Sequence, residues 1–148
     1  MEKSTDYPLV ADTSALVSLA TKTDHNHKPA VAAAANLRKM QRPIILPTDI
    51  LSETLNVLGK RSGRQTALQA AANLLHERGQ FVLLDTSVHI PAALDKFTRL
   101  PPAVSFTDCL VMAVADHYRT RDIFGFDKQF ADAGYNRLTP SPDWSSSA

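Results

Sequence analysis

The stretch Leu9-Val10-Ala11-Asp12-Thr13-Ser14-Ala15-Leu16 decides the fold. Three apolar residues run into an acid, and a helical pattern over Thr13 to Ala20 follows at once. A strand apolar on both faces that turns straight into a helix opens a parallel β–α unit. The alternation continues downstream. Pro29 suits the first turn of an Ala-rich helix, Pro29 to Met40, and Ile44-Ile45-Leu46 is a second buried run closed by Pro47. Thr48 reads as the N-cap of a helix from Asp49 to about Lys60, with Gly59 and Gly63 at its end. A further helix is expected from about Arg64 to Arg78, stopped by Gly79. Phe81 to Leu84 reads as the third strand and Pro91 to Arg99 as a helix before Pro101-Pro102. Ser105 to Arg119 is a helix whose start is marked by a capping box, Ser105 with Asp108. Ile123 to Phe126 is the fourth strand, and Arg137-Leu138 belongs to a possible fifth. The expected class is α/β, a three-layer α/β/α sandwich around a mostly parallel sheet of four to five strands.

Composition agrees with this. The chain has 148 residues, 44% hydrophobic and 21% charged, which suits one packed domain and excludes wholesale disorder. We expect a single domain over 1–148, with a core of about 7–139, a polar start and a Ser- and Pro-rich tail at 140–148. Trp144, in that tail, is read as covering an apolar patch or meeting a partner. Sixteen cations against fifteen acids exclude a strongly basic nucleic-acid binder of the histone kind, but not a local patch. The single cysteine, Cys109, allows neither an internal disulfide nor a cysteine-based zinc site and reads as core. The longest apolar run, Cys109 to Ala115, is too short to span a bilayer, and Met1 to Pro8 lacks a signal-peptide pattern. The expected location is cytoplasmic, with no membrane partner.

In open parallel sheets the functional crevice lies beyond the carboxyl ends of the strands. Asp12 follows the first strand directly, and Asp127 follows the fourth. Glu53 falls in the early turns of the helix after the second strand, and Asp108 in the first turn of the helix opened by Ser105. Each acid has a structural use of its own. Asp12 can cap a helix, Asp108 can serve its capping box, Glu53 can be solvated and Asp127 can form a turn. Structural needs alone, however, give four acids no reason to select one rim. Gathered carboxylates repel unless a cation joins them. Mg²⁺, which takes hard oxygen ligands and needs neither cysteine nor histidine, fits such a set and can serve phosphodiester hydrolysis.

Four pieces, VADTSAL around Asp12, LPTDILSETLNVL around Glu53, SFTDCLVMAVA around Asp108 and IFGFDKQF around Asp127, resemble the PIN-domain family in order and spacing. The likeness is greatest to the VapC-type ribonuclease toxins of toxin–antitoxin pairs and spans about Leu9 to Leu138. The resemblance implies a metal-dependent endoribonuclease. It implies Mg²⁺ or Mn²⁺ held chiefly by Asp12 and Asp108, with Glu53 and Asp127 completing the acidic cluster. It also implies a homodimer, an antitoxin partner whose C-terminal segment covers the site, and a structured RNA substrate such as tRNA or rRNA. Many members carry Thr or Ser two residues before the last acid, where this chain has Gly125. The hydroxyl-bearing neighbours Thr13, Ser14 and Thr107 are present.

On the substrate side, residues 1–74 carry a net +3 and residues 75–148 a net −2. Lys60, Arg61 and Arg64 form the obvious basic cluster, and Arg119, Arg121 and Lys128 a second, either able to meet phosphates. As helix-end cations they also have an ordinary role against the helix dipole. Asp24-His25-Asn26-His27 reads as a solvated loop, and Asp116 as lying outside the acidic cluster. Two other readings stand beside the nuclease. One is an aspartyl-phosphate phosphatase with Asp12 as nucleophile, although Ser14 stands where the haloacid dehalogenase type needs a second Asp. The other is a non-catalytic interaction module.

Overall fold

A computed structural model describes residues 7–76 and 78–141. The strands are β1 (Leu9–Ala11), β2 (Ile44–Pro47), β3 (Phe81–Leu84) and β4 (Ile123–Phe124). The helices are α1 (Thr13–Ala20), α2 (His27–Lys39), α3 (Thr48–Ser62), α4 (Arg64–Leu74), α5 (Ile90–Arg99), α6 (Phe106–His117) and α7 (Lys128–Asp132). A 3₁₀ turn, Ser87–His89, leads into α5. The strands form one sheet in the order β3-β2-β1-β4 with every pairing parallel. Leu9 pairs with Ile44, Val10 with Ile123, and Ile44 with Phe81. Helix α1 packs between α2 and α3, α4 packs on α3, α5 packs on α6, and α6 packs on β1. The result is the expected three-layer α/β/α sandwich.

Burial follows position in the sheet. β1, β2 and β4 are buried along their whole length, because helices cover both of their faces. β3 and β4 are the two edge strands; β4 is flanked by the segment that bridges Asp122 to Asn136, whereas Val82 and Leu83 of β3 are half exposed, which departs from a strand buried on both sides. Val10, Ile44, Leu46, Ile50, Leu110, Met112, Phe124 and Phe130 form the heart of the core. Cys109 to Ala115 is buried throughout, so α6 runs through the interior, with Cys109 as a packing residue. Val17, Leu58 and Ala70 make a smaller cluster where α1, α3 and α4 meet.

Several local expectations need correction. α2 begins at His27, so Pro29 sits slightly inside its first turn. Pro47, not Thr48, holds the N-cap position of α3, and the Thr48 hydroxyl turns to Asp49 Oδ1 at 3.4 Å. α4 stops at Leu74, short of Arg78, because the chain must turn back to start the sheet edge at Phe81. The Gly79 N–H closes that turn onto the His76 carbonyl at 2.8 Å. β4 ends at Phe124, since Gly125 and Phe126 are drawn into contacts with Leu138, Arg137 and Ser14. In place of a fifth strand there is one parallel bridge between Asp122 and Asn136. Helix α7 has no counterpart in the sequence pattern, because its five residues carry little periodicity. Trp144 lies outside the described residues.

The chain builds β1, β2 and β3 outward in one direction and then places β4 on the other flank of β1. That reversal makes the carboxyl ends of β1 and β4 a topological switch point, where parallel sheets open a crevice.

Candidate active site

Asp12 is the N-cap residue of α1, and its Oδ2 accepts from the Ser14 amide at 3.3 Å and the Ser14 hydroxyl at 3.0 Å. The cap role and the site role therefore coexist. Ser14 Oγ in turn accepts from the Phe126 amide at 2.9 Å, which ties the end of β1 to the segment after β4. Asp108 sits in the complete capping box of α6. Its Oδ2 accepts from the Ser105 amide, and its own amide donates to Ser105 Oγ, each at 3.1 Å. Asp127 occupies the N-cap position of α7 without using its side chain there. Asp12, Asp108 and Asp127 each bring a carboxylate oxygen within 4.8 Å of the others. Asp12 is 4% exposed and Asp108 8%, while Asp127 is exposed at the mouth.

Glu53 lies on the rim of this cluster. Its Oε1 accepts from Thr13 Oγ1 at 2.5 Å, so α3 is coupled to the start of α1. The four acids of the sequence reading thus all line one cleft of about 490 Å³, three in close company and Glu53 beside them. Thr13, Ser14 and Thr107 line it too. Of the first basic cluster only Arg61 does; Lys60 and Arg64 are not among the lining residues, and Lys128 of the second cluster is. Successive residues of a helix point in different directions, so one helix-end cluster cannot deliver all its cations to one wall. Asp24, His25 and Asn26 also line the cleft, and Asn26 is buried, so this segment is a built wall and not a solvated loop. The Asp24 carboxylate fixes it by accepting from Ser18 Oγ at 2.8 Å and the Asn26 amide at 2.9 Å. Asp116 faces elsewhere, accepting from Tyr135 at 2.7 Å and pairing with Lys96 at 2.7 Å.

The crowding shows in the proton equilibria. Burial, above all, and then the carboxylate of Asp127, with a smaller push from Asp108, raise the Asp12 carboxyl from the ordinary 3.8 to about 7. The two hydrogen bonds from Ser14 oppose this. Asp127 is also raised, first by burial and then by Asp108, with a further push from Glu53, while the Arg137 guanidinium pulls it down. The sequence pattern places Arg137 only in a strand. Its Nη1 donates to the Phe126 carbonyl at 2.7 Å, beside the last acid. Nothing local in the sequence marks it, because its position depends on the turn through α7. An all-oxygen set of three close acids, one of them held back from ionisation first by burial and then by its neighbours, suits a hard divalent cation such as Mg²⁺ or Mn²⁺.

A parallel sheet in this order with acids gathered at its switch point defines a class, and residues 9–135 match the family model of the PIN domain. The chain belongs to the PIN-domain family. Among solved structures it is similar to the Mycobacterium tuberculosis toxin VapC20, described as cleaving the sarcin-ricin loop. The TM-score is 0.77 at 23% identity, covering 89% of this chain and 99% of that one. The fold is therefore that of a VapC-type PIN domain. No curated protein matches at the level of sequence.

Proposed function

We propose that this protein is a metal-dependent endoribonuclease that hydrolyses RNA phosphodiester bonds, and that it acts in the cytoplasm as the toxin of a toxin–antitoxin pair. The observation that carries this reading is the meeting of Asp12, Asp108 and Asp127 at the β1/β4 switch point. Family membership supports the nuclease class, and the likeness to a toxin that cleaves an RNA loop supports the biological setting. Asp12 and Asp108 would hold the cation, with Asp127 closing the third side. Mg²⁺ or Mn²⁺ bound there would neutralise charge on a phosphate and polarise a water. Ser14 keeps the Asp12 carboxylate oriented, Ser105 does the same for Asp108, and Thr13 holds Glu53. Arg61 and Lys128, which line the same cleft as the acids, offer positive charge to RNA phosphates, and Thr107 a hydroxyl.

The decisive experiment compares wild type with Asp12→Asn and Asp108→Asn on a structured RNA. Cleavage by wild type should be lost in EDTA and restored by Mg²⁺ or Mn²⁺, and both variants should be inactive while folded. Undiminished cleavage by both variants would exclude the reading. The phosphatase alternative is not favoured, because two more carboxylates crowd the position a phosphoryl group on Asp12 would take.

An antitoxin and a second copy of the chain are the partners in this reading. Ile90, Leu94 and Phe97 lie at i, i+4 and i+7 on the outer face of α5, with Val88 just before, all exposed. Only the small Ala93 of that helix is buried. This stripe is the face a second copy would cover, and Leu94→Glu should then turn a dimer into a monomer by sedimentation velocity. Among the described residues no helix is long and apolar enough to cross a membrane.

A further inference from the structure

We infer that Gly125 is a positioning residue for the acidic cluster: the lack of a side chain there lets the segment after β4 lie against Asp12. The inference rests on the cluster being a cation site. A Cβ at position 125 would stand 2.8 Å from Asp12 Cβ, 3.3 Å from Asp12 Oδ2 and 3.4 Å from Ile123 Cγ2. Carbon atoms in contact prefer about 3.5–4.0 Å. The nearest atom is also not the free end of a side chain but its first carbon, which moves only with the backbone between β1 and α1.

Glycine is needed here for space and not for backbone freedom. The described glycines with positive φ are Gly63 and Gly134, and Gly125 is not one of them. The Gly125 side of the contact is also firmly held. Its carbonyl accepts from the Leu138 amide at 2.8 Å. The next amide, of Phe126, donates to Ser14 Oγ at 2.9 Å, and the Phe126 carbonyl accepts from Arg137 at 2.7 Å. The Asp12 carboxylate is held by longer bonds from Ser14, at 3.0 and 3.3 Å. The Asp12 backbone, which its Cβ must follow, is bonded through its amide to the Phe124 carbonyl at 3.0 Å, so an added methyl group forces the end of β1 and the Gly125 segment apart and carries the carboxylates of Asp12 and Asp127 out of register. Where many PIN domains carry a hydroxyl residue, this chain has no room for one without rebuilding its metal site.

The test is Gly125→Ala, with Mn²⁺ alone as the probe, measured by titration calorimetry on the full chain. We expect affinity to fall about tenfold or more, the scale on which residues supporting metal ligands act, with far-UV circular dichroism unchanged. Affinity for an uncleaved RNA in EDTA should stay within twofold, which separates loss of the cation from loss of the surface. Mn²⁺ binding by Gly125→Ala within twofold of wild type would overturn the inference. If Gly125→Ala does not fold, the pair Asp12→Gly and Asp12→Gly/Gly125→Ala decides the matter, because the clashing Cβ is then gone. The two should share one urea midpoint, and a markedly lower midpoint for the double variant refutes the contact. Wild type that binds no Mn²⁺ would fail the nuclease reading itself, a different result from wild type and variant binding alike.

Discussion

Replacing Asp12 with Asn should stabilise the metal-free protein while destroying its activity. Asp12 is 4% exposed, and its carboxyl is raised from 3.8 to about 7. Between those values the folded chain holds a proton that the unfolded chain releases, so stability falls as pH rises through that window and the loss is complete above about pH 7. The rise from 3.8 to about 7 corresponds to a ceiling of about 4 kcal/mol. Some of that arises from Asp127 and Asp108, which can rearrange, so about 2–4 kcal/mol is the expected range. Asparagine stays neutral at every pH. Its amide oxygen can accept the two Ser14 hydrogen bonds, and its NH₂ can face the remaining carboxylates. For a chain of this size the difference is roughly 5–15 °C in Tm. The assay is thermal or urea unfolding of both proteins in EDTA at about pH 4.5 and pH 8. The variant's advantage should be small in acid and full at pH 8, and saturating Mn²⁺ should restore wild type by about 2–3 kcal/mol while leaving the variant unmoved. A variant no more stable than wild type at pH 8 would refute the reasoning, since the buried charge would then cost nothing.

Arg61→Ala and Lys128→Ala should each weaken RNA binding and lower the salt slope by about 1, as loss of one phosphate contact does. Arg64→Ala, off the cleft wall, should leave the slope unchanged in the same fluorescence titration. Ser105→Ala breaks the capping box and should cost about 1 kcal/mol by urea unfolding. It should also weaken Mn²⁺ binding through the freed Asp108, and unchanged binding would show that the box does not orient that acid. Removing Arg137 takes away a cation that draws the Asp127 carboxyl down, so in Arg137→Leu it should titrate at higher pH by carbon NMR. A downward move would contradict the assigned cause.

Much of the site was legible because the relevant placements are local. Asp12 sits at the rim because it follows β1 with no loop between, and Asp108 because its capping box puts it in the first turn of α6. The basic residues were harder to place. Arg61 and Lys128 differ from Lys60 and Arg64 only in direction, and direction depends on how α3 and α7 seat on their neighbours. Arg137 carried no local signal, since its place depends on the turn through α7, and the wall Asp24 to Asn26 is fixed both by its near neighbour Ser18 and by the Ser141 amide, far along the chain, on Asn26 Oδ1.

By itself, the amino-acid order determined the alternation of apolar strands and capped helices, and with it a layered parallel sheet whose acids fall on one rim. Periodicity and capping are properties of a few neighbouring residues, so they survive in one dimension. The tertiary structure alone decided that β4 lies against β1, which brings Asp127 to Asp12 and leaves space at that contact only for the bare backbone of Gly125. Lateral strand order is set by the summed burial of many side chains across the sheet, and no short stretch of sequence carries that sum.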